Sequence, residues 1–138
     1  MVVTKSIKLK TRGETDIINI TGEVKTALEK SKLRNGIIAV FVSGATAALT
    51  AIEYEPGLVS DLKEAFERLA PRNGKYAHNV KWGDGNGFSH IRASLLGPSF
   101  TVPFSEKKLI LGTWQQIIFI DFDNRPRSRE LTVQIVGE

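Results

Sequence analysis

The sequence predicts a single α+β domain over residues 1–138, with a mostly antiparallel sheet, two main helices and one short helix. The chain has 138 residues, 41% of them hydrophobic, which suits one globular domain with its own core. Helical and strand periods occur in separate blocks, and the last third contains four strand-like runs joined by short turns. Because short connections favour antiparallel hairpins, this distribution predicts an α+β fold. No internal repeat or linker divides the chain.

The first half of the chain contains three strand-like segments and one helical segment. Residues 3–11 alternate between apolar and polar side chains, as in a half-buried strand. Thr21 is a candidate N-cap for a helix that should end at Asn35-Gly36. Residues 36–43 are β-branched and apolar on both faces, which predicts a central strand, and residues 47–53 predict another strand.

The second half begins with helices and ends with strands. Pro56 marks the start of a helix with a clear apolar stripe, and a shorter helix opens at Asn86 or Gly87 and stops at Gly97. Residues 72–87 show neither period, and so long a loop in a small domain is more often functional than accidental. The four strands of the last third are predicted at residues 99–104, 108–112, 114–123 and 129–136.

One of these strands also predicts whether the protein forms oligomers. Residues 117–122 are apolar on both faces, so this strand should be central and covered on both sides. Three helices are too few to cover both faces of the sheet in a monomer. Symmetric assembly is the common way for a small sheet to hide its second face, so we expect a homo-oligomer.

Composition narrows the chemistry and the location. The chain contains no cysteine, which excludes disulfides, thiolate ligands and a cysteine nucleophile and is compatible with a reducing cytoplasm. The N-terminus lacks a secretory signal, and no apolar run approaches the ~18 residues of a membrane span. The net charge of +4 is spread along the chain, which suits an anionic metabolite at least as well as nucleic acid. We expect a soluble, cytoplasmic protein with a phosphorylated small-molecule partner, without a membrane partner, and with nucleic acid disfavoured.

Residues 81–92 form the densest polar, glycine-rich segment of the chain. Three glycines alternate with polar residues, and Asp84 and Asn86 supply oxygen atoms at short range. The only two histidines of the chain, His78 and His90, bracket this loop. The loop lacks the pattern of a dinucleotide fingerprint, a P-loop or a calcium loop. It is a candidate ligand-binding loop, and a plain turn is the alternative interpretation.

The two histidines also suggest a metal centre. His78, His90 and a carboxylate from Asp84 or Glu53 match the two-histidine, one-carboxylate donor set that binds zinc or another divalent ion. The alternative is that each histidine caps a helix or makes a hydrogen bond in the core.

Three arginines and an aromatic segment complete the candidates. Arg127 and Arg129 alternate at the start of the last strand and point to one face, and Arg92 lies in the polar segment. Guanidinium groups bind phosphate bidentately, while a solvated strand end is the alternative for the first two. Trp114 and Gln115 fit either a wall that stacks on a heterocycle or a part of the core.

Several motifs occur in the order found in a known family and cover essentially the whole chain. They are Thr46-Ala-Ala to Glu53, Leu69-Ala-Pro71, Tyr76-x-His78, the run from Asn86 to Ser99, Gly112-Thr-Trp-Gln-Gln116 and Arg125-x-Arg127-x-Arg129. On these motifs the sequence resembles the YjbQ-like family, which is associated with a secondary thiamine-phosphate synthase activity. The resemblance implies an α+β fold that assembles as a trimer or a larger oligomer such as a hexamer. It also implies an enzyme that joins a pyrimidine-methyl pyrophosphate to a thiazole phosphate and releases pyrophosphate.

The resemblance further implies roles for individual residues. His78, Asp84 and His90 would form the catalytic or metal-binding centre, with Glu53 nearby and Mg²⁺ or Zn²⁺ as the cation. The residues that would hold phosphates or line the ring pocket are Asn86, Arg92, Trp114, Gln115, Arg127 and Arg129.

Two positions depart from the family's pattern. Many members carry a histidine at the corner after the central strand, where this chain has Gly44, and another frequent histidine is replaced by Phe88. The departures predict fewer nitrogen ligands for a metal. They leave Ser43 and Thr46 as candidate phosphate-binding hydroxyls.

The leading hypothesis is a thiamine-phosphate-synthase-type transferase, an activity that can be secondary to another physiological reaction. One alternative is a metal-dependent hydrolase or lyase that acts on a phosphorylated small molecule. The other is a non-catalytic module that binds an anionic metabolite or nucleic acid.

Overall fold

The computed structural model describes all of residues 1–138 and contains eight strands and four helices. In chain order they are β1 (Val2–Thr11), β2 (Asp16–Asn19), α1 (Thr21–Ser31), β3 (Gly36–Val42), β4 (Ala47–Glu53), α2 (Pro56–Leu69), α3 (Ala77–Trp82), α4 (Gly87–Leu96), β5 (Ser99–Ser105), β6 (Lys108–Leu109), β7 (Gln115–Asp121) and β8 (Arg127–Gly137). The strands form a five-stranded sheet, β1-β8-β3-β5-β6, and a three-stranded sheet, β2-β7-β4. Every strand pairing is antiparallel, so the predicted α+β class is confirmed.

The two sheets share the main core, which contains 18 buried residues and includes one face of α1. A second core of seven buried residues joins the opposite face of the small sheet to α2 and α4. Odd-numbered β7 residues such as Phe119 enter the first core, and even-numbered ones such as Ile118 enter the second. This is the two-residue period of a strand buried on both faces.

The argument for an oligomer from residues 117–122 is therefore wrong. Ile117 to Ile120 are fully buried within one chain. The five-stranded sheet covers one face of β7, and two helices cover the other. The argument assumed a single sheet, whereas the chain folds into two sheets that cover each other. The oligomer itself stays a prediction.

The prediction of consecutive hairpins in the last third is also wrong, except for β5 and β6. β7 pairs with β2 and β4, whereas β8 pairs with β1 and β3. The turn between β7 and β8 thus carries the chain from one sheet to the other. A short connection allows a hairpin, but burial of β7 between two cores requires partners from distant parts of the chain.

Some predicted helix boundaries hold and others do not. α2 begins at Pro56 as predicted, and the Glu55 carboxylate accepts hydrogen bonds from the two backbone amides of Gly57 and Leu58. Thr21 is not an N-cap; its hydroxyl instead accepts a hydrogen bond from the Ile117 amide at 2.8 Å. α1 ends at Ser31, four residues before the predicted stop.

The segment of residues 72–87 contains a helix that the sequence does not reveal. α3 has only six residues, too few for a helical period to show. It ends at Gly83, whose φ of 66° lies in the left-handed region that favours glycine. None of the four helices is long and apolar enough to cross a membrane. α3, the following loop and α4 carry the two histidines.

Candidate metal centre

His78, Asp84 and His90 come together at the junction of α3 and α4. Each offers one ligand atom, and these three atoms lie within 4.8 Å of one another. The two imidazole rings have centroids 4.5 Å apart, and His78 Nδ1 lies 3.4 Å from Asp84 Oδ1. Ligands of a tetrahedral zinc ion are about 3.3 Å apart, so small side-chain rotations would bring these atoms to coordinating distance. The predicted donor set is thus assembled within one chain, without Glu53.

The loop between the helices positions the carboxylate. Asp84 follows Gly83 at the end of α3, and its Oδ1 accepts a hydrogen bond from the Asn86 amide at 3.1 Å. The Asp84 carbonyl oxygen accepts a second bond, 2.7 Å long, from the Asn124 side-chain amide. Such a turn orients the aspartate through its own backbone. Oδ2 stays free to bind a ligand, since no bond to it is formed within the chain.

The contacts of the histidines define which nitrogens are available. His90 Nδ1 lies 3.1 Å from the carbonyl oxygen of Ala45. A carbonyl oxygen can only accept, so Nδ1 carries the proton and Nε2 presents a lone pair. Histidines that bind metals through one ring nitrogen usually donate a hydrogen bond from the other, as His90 does here.

His78 provides the observation that tests whether an ion fits. Its Nδ1 is buried and has no hydrogen-bond partner, because the approach to Asp84 lacks hydrogen-bond alignment. A buried polar atom without a partner is unusual in a folded protein. A divalent cation would satisfy this nitrogen and the facing carboxylate together. Two imidazoles and one carboxylate suit zinc better than magnesium, which prefers oxygen ligands.

The predicted arginines of β8 lie in a separate buried network. Arg129 binds Asp121 bidentately at 2.8 and 2.9 Å and donates to Thr46 Oγ1 at 2.8 Å. Thr46 donates in turn to Asp123 at 3.0 Å, and Arg127 donates to the same carboxylate at 3.0 Å. Asp121 and Asp123 are almost completely buried. Thr46 and Arg129 are therefore committed to contacts inside the protein.

Hydrogen bonds inside this network stabilise the charged forms of its side chains. Burial alone would raise the pKa of Asp123, but hydrogen bonds from Arg127, Thr46 and Asn86 outweigh burial and lower that pKa below its usual value. The hydrogen bonds with Asp121 raise the pKa of Arg129 above its usual value, against the effect of burial. Both groups stay charged at neutral pH.

Arg92 is buried as well. Its guanidinium donates to the Ala70 carbonyl at 2.9 Å, to Thr15 Oγ1 at 2.8 Å and to Glu67 Oε2 at 2.7 Å. It also stacks on the ring of Phe88, which is fully buried. Arg92 therefore anchors α4, and with it His90, to α2. All three of its nitrogens are bound within the chain.

Asn86 and Ser43 occupy different environments near the centre. Asn86 is buried, and its Oδ1 accepts bonds from Ser89 Oγ at 2.6 Å and from the Asn124 amide at 3.0 Å. Ser43 is exposed at the corner between β3 and β4. Next to it, Gly44 has a φ of 116°, and a Cβ there would approach Arg129 Nη1 to 3.3 Å. A side chain at this corner would require the backbone or Arg129 to shift.

Glu53, Trp114 and Gln115 lie at the opposite end of the small sheet. Glu53 pairs with Gln115, whereas Ala47, six residues earlier, pairs with Asp121. Six residues of strand span about 20 Å. The structure thus separates this group from the His90 end of β4, although the sequence suggested one site.

Sequence reasoning missed Asp121, Asp123 and Asn124. The signal was present, because two carboxylates at the end of an apolar strand precede three arginines by a few residues. Buried carboxylates and nearby arginines commonly form ion pairs, which would have predicted the network.

The fold and this site define an α+β protein with two facing antiparallel sheets and a histidine–aspartate centre between short helices. A family model described as UPF0047 protein YjbQ-like matches residues 5–138. The chain belongs to this family.

The similar proteins carry names without a specific activity. A UPF0047 protein from Methanothermobacter thermautotrophicus is 40% identical over 99% of this chain and 94% of its own length. A solved structure of a YbjQ-like protein of unknown function from Sulfolobus solfataricus P2 has 34% identity and a TM-score of 0.95, covering 100% of this chain and 99% of that one. A hypothetical protein from Aeropyrum pernix K1 has 32% identity and a TM-score of 0.92, covering 99% of each chain.

Proposed function

We propose that this chain is a metal-dependent enzyme that acts on a phosphorylated small molecule at the centre formed by His78, Asp84 and His90. The reaction proposed first is the transfer that joins a pyrimidine-methyl pyrophosphate to a thiazole phosphate with release of pyrophosphate. The observation that carries the proposal is the convergence of three ligand atoms within 4.8 Å around a buried His78 nitrogen that lacks a partner. The type of transfer rests on the family resemblance.

The residues of the centre have distinct tasks. His90 presents Nε2 because its Nδ1–H donates to Ala45, and Asp84 keeps Oδ2 free because Asn86 binds Oδ1. His78 supplies a second nitrogen beside the carboxylate. A bound divalent cation would place positive charge against the phosphate oxygens of the substrate, which favours departure of a phosphorylated leaving group.

A groove beside His90 provides room for the rest of the substrate. It has a volume of about 590 Å³ and is lined by small or apolar residues, namely Gly44, Ala45, Ala47, Ile91, Ala93, Ser94, Gly97 and Pro98. Such a lining suits an uncharged ring better than a second phosphate. Among the three predicted phosphate-binding arginines, Arg127 has the most exposed side chain, at 33% against 12% for Arg129 and 5% for Arg92.

The transferase is tested with both precursors. Purified chain would be mixed with the pyrimidine pyrophosphate, the thiazole phosphate and Zn²⁺ or Mg²⁺, and released pyrophosphate would be measured. We expect turnover that falls by at least about 100-fold in His90→Ala and Asp84→Ala, since each removes a ligand. Glu130→Gln, an exposed carboxylate on β8, is the matched control and should retain activity. Equal turnover in all four proteins would contradict the site.

A second candidate is a metal-dependent hydrolase or lyase for one phosphorylated substrate. This candidate is favoured because Arg92 and Arg129 bind carboxylates within the chain. Few guanidinium groups are then left to bind two phosphorylated substrates. Each precursor incubated alone with Zn²⁺ distinguishes the two. Release of phosphate or pyrophosphate from a single precursor supports this candidate, whereas release that needs both precursors supports the transferase.

We also propose that the protein works in the cytoplasm as a homo-oligomer, a trimer or a hexamer. The outer face of the five-stranded sheet is uncovered and exposes Ile37, Phe41 and Val136 to 49%, 44% and 42%. Ile37 and Val136 are register partners on adjacent strands, so the patch is contiguous. Contiguous apolar patches commonly mark interfaces. A monomer mass by light scattering at micromolar concentration would contradict the assembly.

A further inference from the structure

A second cavity lies at the end of β4 and β7 that is remote from His90. It has a volume of about 480 Å³, and its lining includes Asn19, Glu53, Tyr54, Glu55, Trp114 and Gln116. We propose that this cavity binds a small organic cation, an ammonium or guanidinium group on an apolar stem. The inference does not depend on the proposed function, because the two sites lie at opposite ends of β4.

The aromatic wall of the cavity is exposed and stands on a hydrogen-bonded turn. Trp114 sits in a turn that is closed twice, by the Gln115 amide donating to the Gly112 carbonyl and by the Gly112 amide donating to Gln115 Oε1, both at 3.0 Å. The residue is nevertheless 72% exposed. A fixed backbone at this position reduces the entropy lost when a ligand binds the indole. This is the arrangement of a contact residue, since a core residue would be buried.

Tyr54 is a second aromatic residue of the cavity lining. Its hydroxyl donates to the Ile17 carbonyl at 2.9 Å, while 44% of the residue stays exposed. Asn19 and Gln116 form a hydrogen bond of 3.2 Å between their side chains, which fixes the polar part of the lining. The cavity therefore combines two exposed aromatic residues with a hydrogen-bonded pair of amides.

The charged residues of the cavity favour a positively charged ligand. Glu53 is exposed, and its carboxylate makes no hydrogen bond or ion pair within the chain. Glu55 is negative as well, and its two oxygens are occupied by the amides of Gly57 and Leu58. No lysine or arginine lines the cavity, although the protein as a whole carries +4. Aromatic faces and carboxylates attract cations and repel phosphates.

The test uses the fluorescence of Trp114. The chain has two tryptophans, so Trp82→Phe leaves Trp114 as the single reporter in an otherwise complete protein. Butylammonium is titrated into this protein, with 1-butanol as the neutral analogue and sodium chloride at matched ionic strength. We expect a saturable change with butylammonium and none with 1-butanol or salt.

Variants assign the binding to the cavity. Glu53→Gln in the Trp82→Phe protein should weaken butylammonium binding by about three- to fivefold, as expected for one partly exposed charge contact. Glu130→Gln removes an exposed carboxylate from another face and should leave the affinity unchanged. Both substituted positions are exposed, so folding is not at risk.

Three outcomes of the butylammonium and 1-butanol titrations would overturn the proposal. They are a response that does not saturate, an equal response to 1-butanol, and an affinity that is unaffected by Glu53→Gln. A further titration replaces butylammonium with a glycine-rich pentapeptide that has a central lysine. Binding of this peptide at least tenfold tighter than butylammonium would identify a protein side chain as the occupant and would overturn the small-molecule ligand. Equal or weaker peptide binding supports the small cation.

Discussion

Two polar clusters lie close together in this molecule and differ in how completely their groups are paired. The network around Asp121 and Asp123 is buried, and most of its donors and acceptors meet one another at 2.7 to 3.2 Å. The centre of His78, Asp84 and His90 is partly exposed and leaves His78 Nδ1 without a partner. The first cluster has little binding capacity left, whereas the second retains free ligand atoms.

We infer from this difference a structural role for the first cluster and propose a binding role for the second. Arginines and aspartates satisfy each other when they are buried, and removal of one partner leaves a charge uncompensated. A buried polar atom without a partner, such as His78 Nδ1, is costly to maintain unless something binds it. Pairing, which depends on three-dimensional contacts, is thus a better guide to function here than residue type.

The largest expected effect is on the network around Asp121 and Asp123. Asp121→Asn removes the charge that Arg129 binds bidentately and leaves only Asp123, 3.9 Å from the guanidinium. We expect the free energy of unfolding to fall by about 3–5 kcal/mol in urea denaturation, as for other broken buried pairs. Asp61→Asn, on the exposed side of α2, is the control and should change it by less than about 0.5 kcal/mol. If both substitutions lowered the free energy of unfolding equally, the network would have no special structural role, and the distinction between the two clusters would fail.

A smaller effect is expected on the pH dependence of the free energy of unfolding. The pKa of Asp123 is lower in the folded chain than its usual unfolded-state value of about 3.9. Its contribution to stability is complete above that value and is lost as pH falls through the folded-state pKa, because the unfolded chain binds the proton first. The decline in unfolding free energy below about pH 4 should therefore be shallower in Asp123→Asn than in the unsubstituted chain. Identical slopes, or a carboxyl NMR titration that gives an unshifted pKa, would contradict this prediction.

The smallest effect on stability is expected at the candidate metal centre. In metal-free protein, His78→Ala should change the free energy of unfolding by no more than about 0.5 kcal/mol, because its ring is one-third exposed and its Nδ1 makes no hydrogen bond. The same urea titration measures it. A loss above about 2 kcal/mol would place His78 among the structural residues.

Local patterns predicted the fold class and several elements. Strand alternation located β1 and β4, and Pro56 located the start of α2, because these signals lie within a few neighbouring residues. The division into two sheets could not be predicted, since β7 pairs with strands more than 60 residues away in the sequence. α3 is too short to produce a period.

The candidate site was predictable only in part. His78, Asp84 and His90 were grouped correctly because they belong to one short segment. Arg92 could not be recognised as an internal anchor, since its partners come from Thr15, Glu67 and Ala70. Nor does the sequence show that Glu53 lies at the far end of β4, because that depends on strand register.

Calorimetric titration with Zn²⁺ tests the central claim most directly. We expect one ion per chain, with an affinity that falls by at least about 100-fold in His78→Ala, since a lost ligand costs more than a lost second-shell contact. Glu130→Gln should bind as tightly as the unsubstituted chain. The absence of stoichiometric binding, or an affinity unchanged by His78→Ala, would contradict the account.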